Sequence, residues 1–88
     1  MDVERLQSVD GVPTDREVVI VDVRELPPPE PLTETMDALT DLGDDEMVVQ
    51  VNDRVPQHLF PRLDDRGVQY ESLETDDGAL TALWLGSA

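Results

Sequence analysis

A proline-rich stretch in the first half of the chain constrains the fold more than any other feature. Residues 22–32 read DVRELPPPEPL, with prolines at positions 27, 28, 29 and 31. Proline fixes φ and lacks an amide hydrogen, so this stretch cannot continue a strand or form a helix interior. An apolar run over residues 18–21 ends just before it, and a helical pattern begins at its far end. The stretch is therefore predicted to be a stiff connector between a strand and a helix.

The spacing of apolar residues predicts the other elements. Strands are expected over residues 17–23, 46–51, 68–73 and 79–85, and helices over residues 31–42 and about 56–66. The first helix places Leu32, Met36, Leu39 and Leu42 on one stripe, and Gly43 is expected to close it in left-handed conformation. The order β-α-β-α-β-β predicts an α+β fold, a two-layer α/β sandwich with two helices on one face of a four-stranded mixed sheet.

Polar residues and glycines between these elements predict caps and turns. Asn52 and Asp53 precede the second helix, and either side chain is expected to cap it. Gly67 is expected to end that helix, and the sequence from Asp76 to Gly78 is expected to form a hairpin turn.

The length of 88 residues indicates one domain. Residues 17–85 are predicted to form it, with a flexible N-terminal leader over residues 1–16 and a C-terminal tail over residues 86–88. Within the leader, Val3, Leu6 and Val9 could form one weak helical turn.

Charge is the strongest compositional signal. There are 21 acidic residues against six basic ones, all arginine, which gives a net charge of −15. Such self-repulsion destabilises a compact chain, but molar salt screens it because the Debye length falls to about 3 Å. An acidic, lysine-free composition is typical of archaea that accumulate salt, and an acidic mesophilic domain is the alternative. Nucleic acid is not expected as a partner, because phosphate binding needs basic patches.

Other absences narrow the function classes further. The chain has no cysteine, which excludes disulfides, thiolate metal sites and thiol nucleophiles. No apolar run approaches the roughly 20 residues that span a bilayer, so a cytoplasmic protein without membrane contact is expected. No cofactor, metal site or catalytic residue is predicted, and the chain is expected to be a monomer.

The predicted topology gathers polar residues at one edge of the sheet. If the first two strands are parallel, both strand-to-helix links leave the same edge, where open α/β sheets commonly bind ligands. The candidate residues for binding a ligand or partner are Asp22, Arg24, Pro28, Pro29, Glu30 and Pro31 from the first link, and Asn52, Asp53, Arg54 and His58 from the second. We call this set the proline edge.

Three segments carry a family resemblance. Residues 22–32, the sequence NDRVP at residues 52–56, and residues 63–70 resemble the family called domain of unknown function 2249. That family is similar to the TusA/SirA-like sulfur-carrier proteins. The resemblance covers about residues 17–85 and implies the two-layer sandwich described above, with the last strand antiparallel to the rest. Related domains often accompany hemerythrin-like and other redox modules.

The resemblance fails at the reactive residue. Sulfur carriers of this type hold a Cys-Pro-x-Pro motif at the start of the first helix, and the matching residues here are Pro28, Pro29, Glu30 and Pro31. Persulfide transfer needs a thiolate sulfur, and this chain has none. Sulfur transfer by that mechanism is therefore excluded.

Each candidate residue also has a plain structural interpretation. Arg24 and Arg54 could bind an anion beside two helix N-termini, or could pair with local carboxylates such as Asp22, Asp53 or Glu30. His58 is interpreted as a surface histidine rather than a metal ligand. Trp84 is expected in the core or covering the sheet.

The sequence thus favours a non-catalytic module that binds a protein partner or a small anionic ligand and is adapted to high salt. One alternative is a small accessory enzyme of sulfur, redox or nitrogen-oxide metabolism that uses Arg24, Asp53, Arg54 and His58. A metal- or redox-sensing accessory domain is a third hypothesis.

Overall fold

A computed structural model describes residues 3–86 and contains three helices and four strands. In chain order these are α1 (Val3–Gln7), β1 (Glu17–Asp22), α2 (Glu30–Thr40), β2 (Glu46–Asn52), α3 (Phe60–Arg66), β3 (Val68–Thr75) and β4 (Gly78–Leu85). The first two residues of the predicted leader and the last two of the predicted tail lie outside the described residues. Each helix within residues 3–86 is too short or too polar to cross a membrane.

The four strands form one mixed sheet in the order β1-β2-β4-β3. β1 pairs with β2 in parallel, so that Val19 lies opposite Val48 and Asp22 opposite Val51. β4 lies between β2 and β3 and is antiparallel to both. The predicted α+β fold is confirmed, and so is the antiparallel direction of the last strand.

Helices α2 and α3 cover one face of the sheet. The core on this face consists of Leu39, Val48, Leu59, Leu63, Val68 and Leu83. Leu32, Met36 and Leu42 of the predicted helical stripe pack against it, as expected. Burying an aliphatic side chain contributes about 1.5–3 kcal/mol, so these side chains supply the main force that holds both helices on the sheet.

The opposite face of the sheet is covered by the N-terminal segment. Its core consists of Leu6, Val12, Met47, Val49, Val51, Leu80, Ala82 and Trp84. Leu6 in α1 is completely buried, and Trp84 is 8% exposed. The two-layer sandwich therefore carries a short third helix on its other side. That this leader is flexible in solution stays a prediction.

Both long helices begin at slightly different positions from those predicted. α2 begins at Glu30, with Pro31 at its second position rather than its first. α3 begins at Phe60 rather than near Pro56, because the preceding residues form turns, in which the Leu59 amide donates to the Pro56 carbonyl at 3.0 Å. Proline is tolerated in a first helical turn because its missing donor would be unpaired there, and Pro61 occupies such a position in α3.

Gly43 and Gly67 are each expected to end a helix, Gly43 in left-handed conformation. Gly67 follows α3 with φ 69° and confirms the prediction. Gly43 does not have a positive φ, and the prediction for it was wrong. The cap of α2 is Asp41, in a conformation open to any residue, and the Gly43 amide instead donates to Glu46 Oε1 at 2.8 Å.

Candidate functional site at the edge of the sheet

The parallel pairing of β1 and β2 places both strand-to-helix links at one edge of the sheet. Asp22 ends β1 and Asn52 ends β2, with a register that is offset by one residue. The amide of Val23 extends the pairing by donating to the Val51 carbonyl at 2.9 Å, and the Val23 side chain is 1% exposed. The first link is therefore anchored to β2 before it turns outward.

Arg24 is held by the carboxylate that precedes it by two residues. Its Nε donates to Asp22 Oδ1 at 3.0 Å and its Nη2 donates to Oδ2 at 2.7 Å, while its amide donates to Oδ1 at 3.1 Å. These hydrogen bonds lower the pKa of Asp22 below its ordinary value, and the same carboxylate raises the pKa of Arg24. A planar guanidinium that meets a carboxylate with two parallel bonds is geometrically specific. Local pairing, rather than a free cation, is what the structure shows for Arg24.

The prolines that follow form an exposed surface leading into α2. Pro28, Pro29 and Glu30 are exposed, Pro31 is partly buried, and the Pro28–Pro29 peptide bond is cis. The Glu30 amide donates to the Pro27 carbonyl at 2.9 Å, so the prolines run directly into the helix. Pro29 is the N-cap residue and provides no side-chain hydrogen bond, while Glu30 places a carboxylate in the first turn, where the helix dipole favours it.

The second link is more open. Arg54 Nε lies 3.5 Å from Asp53 Oδ1, and the two side chains are 82% and 56% exposed. An ion pair with this exposure contributes little to stability. His58 is exposed in the turn before α3, and within residues 3–86 it makes no hydrogen bond or ion pair with Asp53 or Arg54. The structure therefore does not assemble these three side chains as an acid–base group.

Beneath the two links lies a set of buried polar side chains that sequence reasoning missed. Gln50 Nε2 donates to Thr35 Oγ1 at 2.8 Å, and Asn52 Nδ2 donates to Gln50 Oε1 at 3.2 Å. The Thr35 hydroxyl in turn donates to the Pro31 carbonyl at 2.8 Å. Thr35 and Gln50 are 0% and 1% exposed, and Asn52 is 9% exposed. We call Thr35, Gln50 and Asn52 the buried polar network.

The network continues into the second link through Asn52. Its Oδ1 accepts hydrogen bonds from the amides of Asp53 at 2.7 Å and Arg54 at 3.3 Å. Within the described residues, no buried side-chain nitrogen or oxygen lacks a hydrogen-bond partner. A fully satisfied polar network specifies one arrangement of the groups that it joins. Here it joins the first turn of α2 to the backbone of the second link.

The predicted role of Asn52 or Asp53 as a helix cap was wrong. The N-cap residue of α3 is Leu59, well beyond both, and it provides no side-chain cap. Asn52 turns its amide inward to the network because it lies on the same face of β2 as Val48 and Gln50. A glutamine within the apolar run of β2 was the available signal, since a buried amide requires partners.

The β3–β4 hairpin turn also reaches this edge, which sequence reasoning did not anticipate. β4 starts where β2 ends, with Ala79 opposite Asn52. Gly78, at φ 147°, packs so closely that an added Cβ would lie 2.8 Å from the Cα of Asp53. The charge of Asp77 also contributes to the raised pKa of Arg24. The hairpin therefore adds a third segment, and further acidity, to the proline edge.

Neither of two clefts on the surface belongs to the proline edge. One lies between the leader and Trp84, and the other lies between α2 and α3. In residues 3–86, no group of three or more histidine, cysteine, aspartate or glutamate side chains is arranged to hold a metal ion. The exposed surface of prolines and paired charges is suited to recognition by contact.

The fold and this edge define a class of protein. It is a small α+β domain without cysteine, in which helix α2 starts at an exposed turn of prolines. The chain belongs to the family described as Uncharacterized conserved protein (DUF2249), whose sequence profile matches residues 20–84. The family predicted from the residues is thereby confirmed. Searches of the curated proteins and of the solved structures gave no significant match.

Proposed function

We propose that this protein is a non-catalytic interaction module that presents the proline edge to a protein partner. The observation that carries the proposal is the exposed proline turn held from below by the buried polar network. Binding costs the ordering of whatever was mobile before, so a surface that is already ordered loses less free energy on association. The prolines restrict the backbone above, and the hydrogen bond from Thr35 to the Pro31 carbonyl fixes it below.

A protein partner fits this edge better than a small anion. Arg24 is engaged by both oxygens of Asp22, and Arg54 lies near the carboxylate of Asp53. An anion would have to compete with these carboxylates and approach the negative charge of Asp77. A protein that packs on the proline rings and supplies basic or N–H groups to Glu30 meets no such competition.

Adaptation to high salt is the second part of the proposal. The chain carries a net charge of −15, and repulsion of this density is tolerated best where salt screens it. The domain is expected to work, and its partner to bind, in molar potassium chloride. Packing on prolines keeps its strength in salt, and salt mainly screens exposed charges that are farther apart than a Debye length.

The test compares two variants with the same change of charge. Glu30→Arg reverses a charge within the proline edge, and Asp41→Arg does so at the exposed far end of α2. Each protein is used as bait in native cell extract in molar potassium chloride, and the affinity of the captured partner is then measured by calorimetry. We expect Asp41→Arg to bind like the wild type and Glu30→Arg to bind at least about tenfold more weakly, which is about 1.4 kcal/mol.

Two results would contradict the proposal. One is a partner that binds Glu30→Arg and the wild type equally, because the contact would then lie elsewhere. The other is a saturating change in the NMR shifts of Arg24 and Arg54 on titration with phosphate or acetate, with no protein captured. That outcome would replace the protein partner with a small anionic ligand.

A further inference from the structure

The segment of residues 3–16 covers the sheet face opposite α2 and α3. We call this segment the strap. It buries two aliphatic side chains against the sheet, Leu6 at 0% exposed and Val12 at 7%. They pack with Met47, Val49, Val51, Leu80, Ala82 and Trp84. The strap lies wholly outside residues 20–84, which match the family. In this chain, residues outside the matched range therefore cover an apolar sheet face of the part that matches the family.

The strap docks on the sheet mainly through apolar side chains. Its backbone hydrogen bonds are mainly internal, such as those from Ser8 to Glu4 and from Val12 to Val9. At its C-terminal end, Arg16 Nη1 donates to the Leu85 carbonyl at 2.8 Å. The helix α1 has only five residues, which is too short to be stable without docking. Leu6, Val12 and the partly buried Val9 must therefore offset most of the ordering of the whole segment.

The strap also leaves part of the face open. An open cleft of about 640 Å³ is lined by Gly11 and Pro13 of the strap and by Gln69 and Trp84 of the sheet. At this cleft the strap covers the sheet face only in part. Segments with few buried apolar contacts open at lower free energy than the core does.

We propose that the sheet face under the strap is a second interaction surface, which the strap occupies in cis until an amphipathic segment of a partner protein replaces it. The strap itself shows the chemistry of that segment. It begins with a short helical turn that presents Leu6, it continues with Val9 and Val12 at intervals of three residues, and its other residues are mainly polar or charged. This surface is independent of the proline edge, so either proposal can fail without the other.

Trp84 provides a direct readout, because it is the only tryptophan and lies in the core beneath the strap. In Leu6→Asp, the strap should leave the face while circular dichroism shows that the sheet remains folded. Trp84 emission should then shift to the red. Thr14→Asp adds the same charge at an exposed position of the strap and should leave the emission unchanged.

Binding in trans tests the surface itself. A fluorescently labelled peptide of residues 1–16 should bind Leu6→Asp at least tenfold more tightly than the wild type, whose face is occupied. The same peptide carrying Leu6→Asp should bind neither protein. A folded Leu6→Asp protein that keeps Trp84 buried, or that does not bind the wild-type peptide, would overturn the proposal.

Hydrogen exchange of the wild-type protein decides the question independently of any variant. The amides of Ser8, Val9 and Val12 should exchange at least tenfold faster than those of Val49 and Leu83 in the sheet. Equal protection of the two sets, or loss of folding in Leu6→Asp, would show that the strap is part of the cooperative core and would overturn the proposal.

Discussion

The two strand-to-helix links leave the same edge of the sheet and are built differently. In the first, Arg24 is bound by both oxygens of Asp22, and three prolines restrict the backbone before α2. In the second, Arg54 is 82% exposed and lies 3.5 Å from Asp53. The comparison teaches that one edge can combine a preformed surface with an adaptable one. We expect the first link to set the position of a partner and the second to adjust to it.

Both links rest on the buried polar network. Thr35 and Gln50 lie beneath the first link, and Asn52 carries the hydrogen bonds on to the backbone of the second. The difference between the links therefore arises in their exposed parts. Changes to the buried polar network should affect the stability of the whole domain, whereas changes to the exposed side chains should affect one link alone.

The largest effect is expected from Gly78→Ala, which disturbs the second link from the hairpin side. The added Cβ would meet backbone atoms of Asn52 and Asp53, the nearest Cα at 2.8 Å, and backbone cannot move aside cheaply. We expect a loss of more than about 3 kcal/mol in the free energy of unfolding, measured in denaturant. Gly67→Ala is the control, since its φ is also positive but its Cβ would meet nothing within 4 Å. It should cost about 1–2 kcal/mol. Equal losses would contradict the close approach of the hairpin.

The next largest effect is expected from Gln50→Leu, which removes the central residue of the buried polar network. It removes the acceptor of Asn52 Nδ2 and the donor to Thr35 Oγ1, and each unsatisfied buried group costs about 1–3 kcal/mol. We expect a loss of about 2–4 kcal/mol, and non-additivity when the change is combined with Thr35→Val.

Thr33→Val is the matched control for the network. The Thr33 hydroxyl also donates to a carbonyl four residues earlier, that of Pro29 at 3.3 Å, but it is exposed. Its loss should change the free energy of unfolding by less than about 0.5 kcal/mol. A Gln50→Leu protein as stable as Thr33→Val would show that the network does not support the links.

Salt should act on the whole domain and not on one link. If screening of the −15 charge contributes about 1 kcal/mol in molar potassium chloride, the melting temperature should rise by about 4–8 °C over dilute buffer. Replacing Asp37 and Asp41 together by asparagine, away from the proline edge, should make this rise smaller. An unchanged melting temperature would contradict the adaptation to high salt.

The smallest effect is expected from Arg24→Gln, which removes the two side-chain hydrogen bonds from Arg24 to Asp22. We call this pair the clamp of the first link. The carboxyl pKa of Asp22, followed by carbon-13 NMR, should rise from below its usual value toward that usual value. Because the folded-state pKa is lowered, the clamp stabilises the protein above the usual carboxyl pKa. This contribution is lost as the pH falls through the folded-state value. A titration of Asp22 that is identical in both proteins would contradict the clamp.

The sequence predicted the fold because its strands and helix stripes are strongly patterned. The apolar run ending at Val21, the stripe from Leu32 to Leu42 and the turn at Gly78 each have one simple structural interpretation. The start of α3 was predicted too early, since Val55 and Pro56 continue the apolar pattern but form turns. Local turn hydrogen bonds, which leave no periodic signal, decided that boundary.

The sequence predicted which residues lie at the edge of the sheet better than it predicted the contacts that they make. Parallel pairing of β1 and β2 follows from chain order, so both links could be placed together. The inward turn of Asn52 and the approach of Gly78 depend on which strand neighbours β2. That neighbour is β4. The order of the strands in the sheet is decided by tertiary packing, which short-range sequence patterns do not encode.

The central claim is that the first link is preformed and the second is not. Nitrogen-15 relaxation of the free protein measures this directly at the amides of Arg24, Glu25, Leu26 and Glu30, and at those of Gln57 and His58. The account predicts order parameters near about 0.85 for the first set, as in rigid backbone, and clearly lower values for the second. Equal order parameters in the two links, or lower ones in the first, would contradict it.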